Sequence, residues 1–298
     1  MKLPELDELL ALRGAARKLG LRFRDPARAQ LLGSHRGAAR GRGLEFEEVR
    51  PYAAGDDARS IDWRVTARRG RLHTKLFREE RERPVWLLVD LQPGMFFGSR
   101  TQLKSALAVR TAAVFAWAAV GGGDRIGALV ANGADSRCHA PHTREAGVLP
   151  ILRTLLDLQP RAPAAPRAES LQQALRTLAP LVHPGSLVLV ISDFAGGAGV
   201  DPVWLSLAAH AEARLYWITD VLEERGPPDG RYRGGVPGRL RAFDGAAART
   251  QWLANWRERE ARVHAIAERL RTQPTRLDTG DAVERVLPSL LRAPQFAA

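Results

Sequence analysis

The sequence predicts an α/β protein built on a doubly wound, mostly parallel sheet, and three observations carry that expectation. Continuous apolar runs such as Val85-Trp86-Leu87-Leu88-Val89 and Leu187-Val188-Leu189-Val190-Ile191 have the composition of strands covered on both faces. Segments with helical periodicity alternate with these runs along the chain. Two of the runs end in an acid, Val89-Asp90 and Ile191-Ser192-Asp193, and in such sheets ligands sit outside the carboxyl ends of the strands.

From the N-terminus, Leu6, Leu9, Leu12, Ala16 and Leu19 recur at spacings of three or four, and Leu10 widens the stripe. An amphipathic helix over 5–19 follows, ended by Gly20. The run from Gly33 to Gly43 has the glycine content of a flexible loop, so residues 1–43 divide into a helix and a Gly/Arg-rich loop. Over 44–83 the pattern changes to alternating segments, 44–50 and 73–77, around turn signals at 55–57 and 69–71, which predicts a small β-rich module. The main domain spans 84–292. Its strands are expected at 85–90, 125–130, 186–191, 214–219 and 275–278. Its helices are expected near 102–120, 144–156, 171–181, 203–211, 247–271 and 282–291, with a Pro-rich loop at 159–166 and a glycine-rich excursion at 226–238.

Composition narrows the function classes. A net charge of +12 raises the question of nucleic acid, because clustered cations release counterions from a phosphate backbone. The distribution argues against that reading. Lysine occurs only at 2, 18, 75 and 104, and the arginines are spread along the chain among acids, as in Arg78-Glu79-Glu80-Arg81-Glu82-Arg83. The dense basic stretches 35–42 and 64–71 carry no stacking aromatic beyond Trp63. An electropositive face for an acidic protein partner is the better match, with nucleic-acid binding kept as an alternative. The single Cys138 excludes an internal disulfide and a multi-cysteine zinc site. No apolar run reaches the roughly 18–20 residues of a membrane span, and Met1 to Asp7 lacks a signal-peptide core, so a cytoplasmic location is expected.

Catalytic motifs are absent from the sequence. The seven histidines show no metalloprotease helix spacing, and His139 and His142, three apart, fall on an expected Pro-containing loop. No phosphate-binding loop with a lysine occurs, and Ser99 and Ser186 lack the flanking glycines of a nucleophile elbow. No enzymatic activity is expected. Asp90 and Asp193 stand as the strand-end acids, suited to a hard cation if their strands are neighbours, or else to capping the turns that follow.

A dense set of motifs then resembles a known family. Arg42-Gly43-Leu44-Glu45-Phe46-Glu47-Glu48-Val49-Arg50-Pro51-Tyr52, Gly55-Asp56-Asp57, Ile61-Asp62-Trp63, Thr66-Ala67-Arg68 and Lys75-Leu76-Phe77-Arg78-Glu79-Glu80-Arg81-Glu82 resemble the signature of the domain-of-unknown-function 58 family. The resemblance runs from about residue 6 to 291. It implies a von Willebrand factor A-like domain after the signature segment, and a partnership with MoxR-type AAA+ ATPases in maturation of, or metal insertion into, client proteins.

The same resemblance implies a degenerate metal-ion-dependent adhesion site. In the fold this chain resembles, that site combines an Asp-x-Ser-x-Ser loop, a Thr from a second loop and a later Asp. Here the loop reads Asp90-Leu91-Gln92-Pro93-Gly94, so the Asp is kept while Gln92 and Gly94 replace both serines. Glu169 falls at the Thr position with Ser170 beside it, and Asp193 matches the last position. Three carboxylates, Asp90, Glu169 and Asp193, still offer Mg²⁺ a shell, which also frames a metal-dependent hydrolase as an alternative. In the signature segment Asp56, Asp57, Asp62 and Trp63 lie among Arg50, Arg59, Arg64 and Arg68. That density forms either an internal ion-pair network or a polar docking face, with Arg50, Asp56, Asp57, Asp62, Trp63 and Arg68 as partner-binding candidates.

Overall fold

The computed structural model describes residues 1–18, 44–53, 61–79, 83–165, 167, 169–196, 201–235 and 238–283, without the side chains of 17–18, 44–48 and 75–79. The chain divides into two compact units, Met1–Ala29 with Arg83–Ala298, and Gln30–Glu82. The N-terminal helix α1 (Leu6–Lys18) belongs to the larger unit.

In the smaller unit β1 (Leu44–Pro51) pairs antiparallel with β2 (His73–Glu79), with a register shift between Phe46 and Glu48. Both expected strands are present. Between them lies a helix the alternating pattern did not announce, α2 (Trp63–Arg69). It buries none of its residues, so it has no apolar stripe to read, and its ends define it instead. The Asp62 carboxylate accepts from Arg64 N at 3.0 Å and Val65 N at 3.1 Å. Gly70 closes the other end at φ 66°, its N–H donating to Thr66 O, so the turn signal at 69–71 is a helix C-cap.

The larger unit is built on a six-stranded sheet in the order β10-β7-β6-β3-β4-β5. Its strands are β3 (Pro84–Asp90), β4 (Arg125–Ala131), β5 (Ser136–His142), β6 (Leu187–Ser192), β7 (Glu212–Thr219) and β10 (Thr275–Asp278). All pairings are parallel except β4 with β5. Helices α3 (Lys104–Gly121), α4 (Arg144–Leu158), α5 (Ser170–Leu178), α6 (Val203–His210), α7 (Val221–Arg225) and α8 (Gly245–Arg269) intervene.

Alternation along each strand divides the core in two. Val85, Leu87 and Val89 of β3 and Leu187, Leu189 and Ile191 of β6 pack with α1, α3 and α4. Trp86, Leu88, Val188 and Val190 face the other way, with α5, α6 and α8. Both faces are covered, which is why these strands read as unbroken apolar runs. Helix α3 is buried at nearly every position from Lys104 to Ala119, because α1 covers the side that the sheet does not. The long apolar stretch of α3 is thus a core helix, and no described helix is long and apolar enough to cross a membrane. Trp117 Nε1 donates to Leu9 O at 2.9 Å across this contact, and the Leu9 side chain is fully buried. Leu9→Ala is expected to cost about 2–5 kcal/mol, read as a lower urea midpoint with an unchanged slope.

Two expectations are corrected. The segment holding His139 and His142 is the edge strand β5, not a loop; its polar, exposed pattern and Pro141 are tolerated because an edge strand needs only one hydrogen-bonded side. His139 Nε2 lies 2.8 Å from Thr154 Oγ1 on α4 rather than near a second histidine ligand. The glycine-rich excursion at 226–238 holds a strand, β8 (Arg231–Gly234), which pairs with β9 (Arg241–Asp244) just beyond it in a two-stranded antiparallel ribbon in which Tyr232 stacks on Phe243. The expected loop at 33–43, and the helix at 282–291 beyond residue 283, lie outside the described residues.

Candidate functional site

Strands β3 and β6 are parallel neighbours, with Val89 opposite Ile191, and the chain leaves β3 toward β4 on one side and reaches β6 on the other. This reversal of strand order makes their carboxyl ends the switch point of the sheet, where such folds open a crevice. Asp90 and Asp193 therefore meet at one rim, both fully buried. The Asp90 carboxylate accepts from Gln92 N at 3.2 Å and Ser170 Oγ at 3.3 Å through Oδ1, and from Ser192 Oγ at 2.8 Å through Oδ2. Asp193 Oδ1 accepts from Ala195 N at 3.0 Å and Gln92 Nε2 at 3.2 Å. Gln92 thus ties the two acids together.

The remaining oxygen of Asp193 belongs to a lysine. Lys104 Nζ lies 2.6 Å from Asp193 Oδ2 and 2.9 Å from Glu223 Oε1, and its side chain is 2% exposed. Arg259 of α8 reaches the same Glu223 oxygen at 2.9 Å. Two carboxylates and two cations thereby close a buried network under the rim. Phe194, directly after Asp193, has φ 51°, a left-handed conformation that a bulky residue rarely takes, and Arg262 donates to its carbonyl at 3.3 Å.

The electrostatics separate the two acids. Burial, reinforced by the nearby Asp193 charge, pushes Asp90 up to about 7, and the hydrogen bonds from Ser192, Gln92 N and Ser170 offset only part of that. Asp193 is buried to the same degree, which works against its charge, but the Lys104 ammonium and then Arg259 hold it below the usual carboxylate range. Burial disfavours the Lys104 ammonium as well, and Asp193 and Glu223 outweigh it, so Lys104 stays above its ordinary value.

Of the site residues expected from sequence, Asp90, Gln92, Ser170 and Asp193 converge. Glu169 does not: it is exposed at the residue preceding α5, and Ser170 occupies the position facing Asp90. The cluster as it stands does not fit Mg²⁺. All four oxygens of Asp90 and Asp193 accept from protein donors, and one of them is already taken by the Lys104 ammonium. Among the described residues no group of three or more His, Cys, Asp or Glu is placed to hold a metal ion.

Within the signature segment Asp62 is the N-cap of α2, Arg50 Nη1 donates to Pro51 O at 3.1 Å, and Arg68 is exposed in the last turn of α2. Trp63 is 67% exposed. Asp56 and Asp57 lie outside the described residues. Sequence reasoning missed Lys104, Ser192, Glu223 and Arg259. One signal was available for the first of these: a cation at the first residue of an apolar helix opposes the helix dipole and calls for an anion nearby.

Comparison with known proteins agrees with the signature motifs. Uncharacterized proteins of Mycobacterium bovis and Mycobacterium tuberculosis are each 37% identical over 185 residues, which is 62% of this chain and 58% of theirs. The chain therefore spans little more than half the length of these relatives. A crystal structure of an uncharacterized membrane-spanning protein from Vibrio fischeri aligns with 69% of this chain and 94% of that one at 18% identity, with a TM-score of 0.24. The family model described as protein of unknown function DUF58 matches residues 48–244, taking in the end of β1, the switch-point acids, five strands of the six-stranded sheet and the β8–β9 ribbon, and by that match, well over half its length, the chain belongs to the DUF58 family.

Proposed function

We propose that this protein is a non-enzymatic, protein-binding adaptor or co-chaperone, and that its larger unit is a von Willebrand factor A-type domain with a degenerate adhesion site. Its partner in this reading is a MoxR-type AAA+ ATPase, which supplies the nucleotide hydrolysis used in maturing, or inserting metal into, a client protein. The observation that carries the reading is Trp63. It is a large aromatic held 67% exposed on a helix capped at both ends, beside exposed Arg64, Arg68 and Arg69. Tryptophan and arginine, with tyrosine, are the residue types enriched among those that dominate binding energy at protein interfaces. The buried rim supports the non-enzymatic half, since Asp90, Lys104 and Asp193 are sealed from any substrate, whereas metal-assisted hydrolysis needs an open coordination position.

The test is pull-down and calorimetry of the full chain with a MoxR-type ATPase. Trp63→Ala with Arg68→Ala is expected to weaken binding by at least about tenfold while leaving the melting temperature near wild type. Asp62→Ala is a poor substitute, because loss of the N-cap unsettles α2 by about 1 kcal/mol on its own. Wild-type affinity in the double variant would remove this helix from the interface.

A further inference from the structure

We propose that Lys104 is a built-in replacement for a divalent cation: its ammonium occupies the cation position at the switch point of the sheet, and the rim is assembled without metal. Three observations converge on this. Lys104 Nζ is held by a carboxylate from the end of β6, Asp193 at 2.6 Å, and a second from α7, Glu223 at 2.9 Å, while Gln92 links Asp193 to the Asp90 loop. Oxygen ligands of a hard cation lie at about 2.0–2.6 Å from it, so carboxylates gathered at these distances around one point match a metal shell slightly widened for N–H donors.

The second observation is that the surroundings hold more acceptor oxygen than one lysine uses. Gln92 Oε1 and Glu223 Oε2 are buried and have no hydrogen-bond partner among the described residues. Buried acceptors without a donor are costly, and they are what a vacated cation site would expose to a metal. Third, the lysine enters from the wrong place for an ordinary helix. As the first residue of α3 it opposes the helix dipole, so its position is set by the anions it faces and not by helix preference. Lys104 supplies one positive charge and Arg259, on the same Glu223 oxygen, a second, where a divalent ion supplies two. The Asp90 carboxyl, out of contact with the ammonium and bound instead to Ser170, Ser192 and Gln92 N, is the acid left without a cation.

The proposal is tested with MnCl₂ on the full chain, following the free Mn²⁺ electron paramagnetic resonance signal. Wild-type protein is expected to leave that signal unchanged up to about millimolar Mn²⁺, since displacing the lysine breaks two buried ion pairs. Lys104→Ala is expected to bind one Mn²⁺ at least about tenfold more tightly than wild type, and Lys104→Ala with Asp193→Asn to lose it. Thermal melting of Lys104→Ala with Mn²⁺ or EDTA gives a second reading, with a metal-dependent rise absent from wild type. Stoichiometric binding to wild type that Asp193→Asn abolishes would overturn the proposal, as would a folded Lys104→Ala that binds no better than wild type. If Lys104→Ala does not fold even with Mn²⁺, Lys104→Gln in its place decides by the same two criteria.

Discussion

Lys104→Met is expected to destabilise the protein by roughly 3–5 kcal/mol, the usual cost of removing one partner from a buried ion pair. In a unit of this size that lowers the melting temperature by on the order of 10 °C. The methionine retains most of the aliphatic stem, so the loss is electrostatic: Asp193 is left fully buried with its closest cation gone, its charge favoured by the more distant Arg259 and by the neutral donors Ala195 N and Gln92 Nε2. Asp193→Asn in the same chain removes the uncompensated charge and is expected to recover much of the loss. Urea unfolding of the wild type, both single variants and the double variant measures the coupling, expected at roughly 2 kcal/mol or more. Purely additive single effects would mean that the 2.6 Å contact contributes little.

How much of this was legible in the sequence depends on what each residue answers to. Strands β3, β6 and β7 were readable because both faces are covered, so apolar residues fill most of their positions and no register needed guessing. Strand β5 was not, because its outward positions answer to water and its Pro141 is forbidden only in the middle of a sheet. Helix α2 escaped for a related reason: its identity lies in Asp62 and Gly70 at its ends, while periodicity reports only buried stripes. The pairing of Asp90 with Asp193 followed from topology, since acids closing two adjacent parallel strands share a rim. Their cations did not follow. Lys104 and Asp193 are 89 residues apart and Lys104 and Glu223 are 119 apart, separations at which only a fold, and no spacing rule, brings charges together. Glu169 and Ser170 show the limit of motif counting, where an error of one residue around a helix start exchanges an exposed acid for a buried hydroxyl.

The pH dependence of stability is expected to carry the signature of Asp90. Its folded value near 7 lies above the ordinary 3.8 of an unfolded chain, so the native state binds this proton more tightly. Stability from Asp90 is therefore full below about pH 4, falls as the pH rises from there to about 7, and is flat above. Between pH 5 and 8 the expected fall is about 3 kcal/mol. Asp193 works in the opposite sense, because a carboxyl held below its ordinary value loses its contribution only as the pH drops beneath about 4. The two windows do not overlap. Asp90→Asn should flatten the slope between pH 5 and 8 and leave the variant more stable than wild type at pH 8. The amide oxygen can still accept from Gln92 N and Ser170, and the amide nitrogen can donate to Ser192 Oγ. Denaturant midpoints of both proteins at pH 5, 6, 7 and 8 supply the comparison, with histidine titration cancelling between them. A variant whose midpoints track the wild type through that range would mean that Asp90 stays charged at the rim, and that the donors around it outweigh its burial.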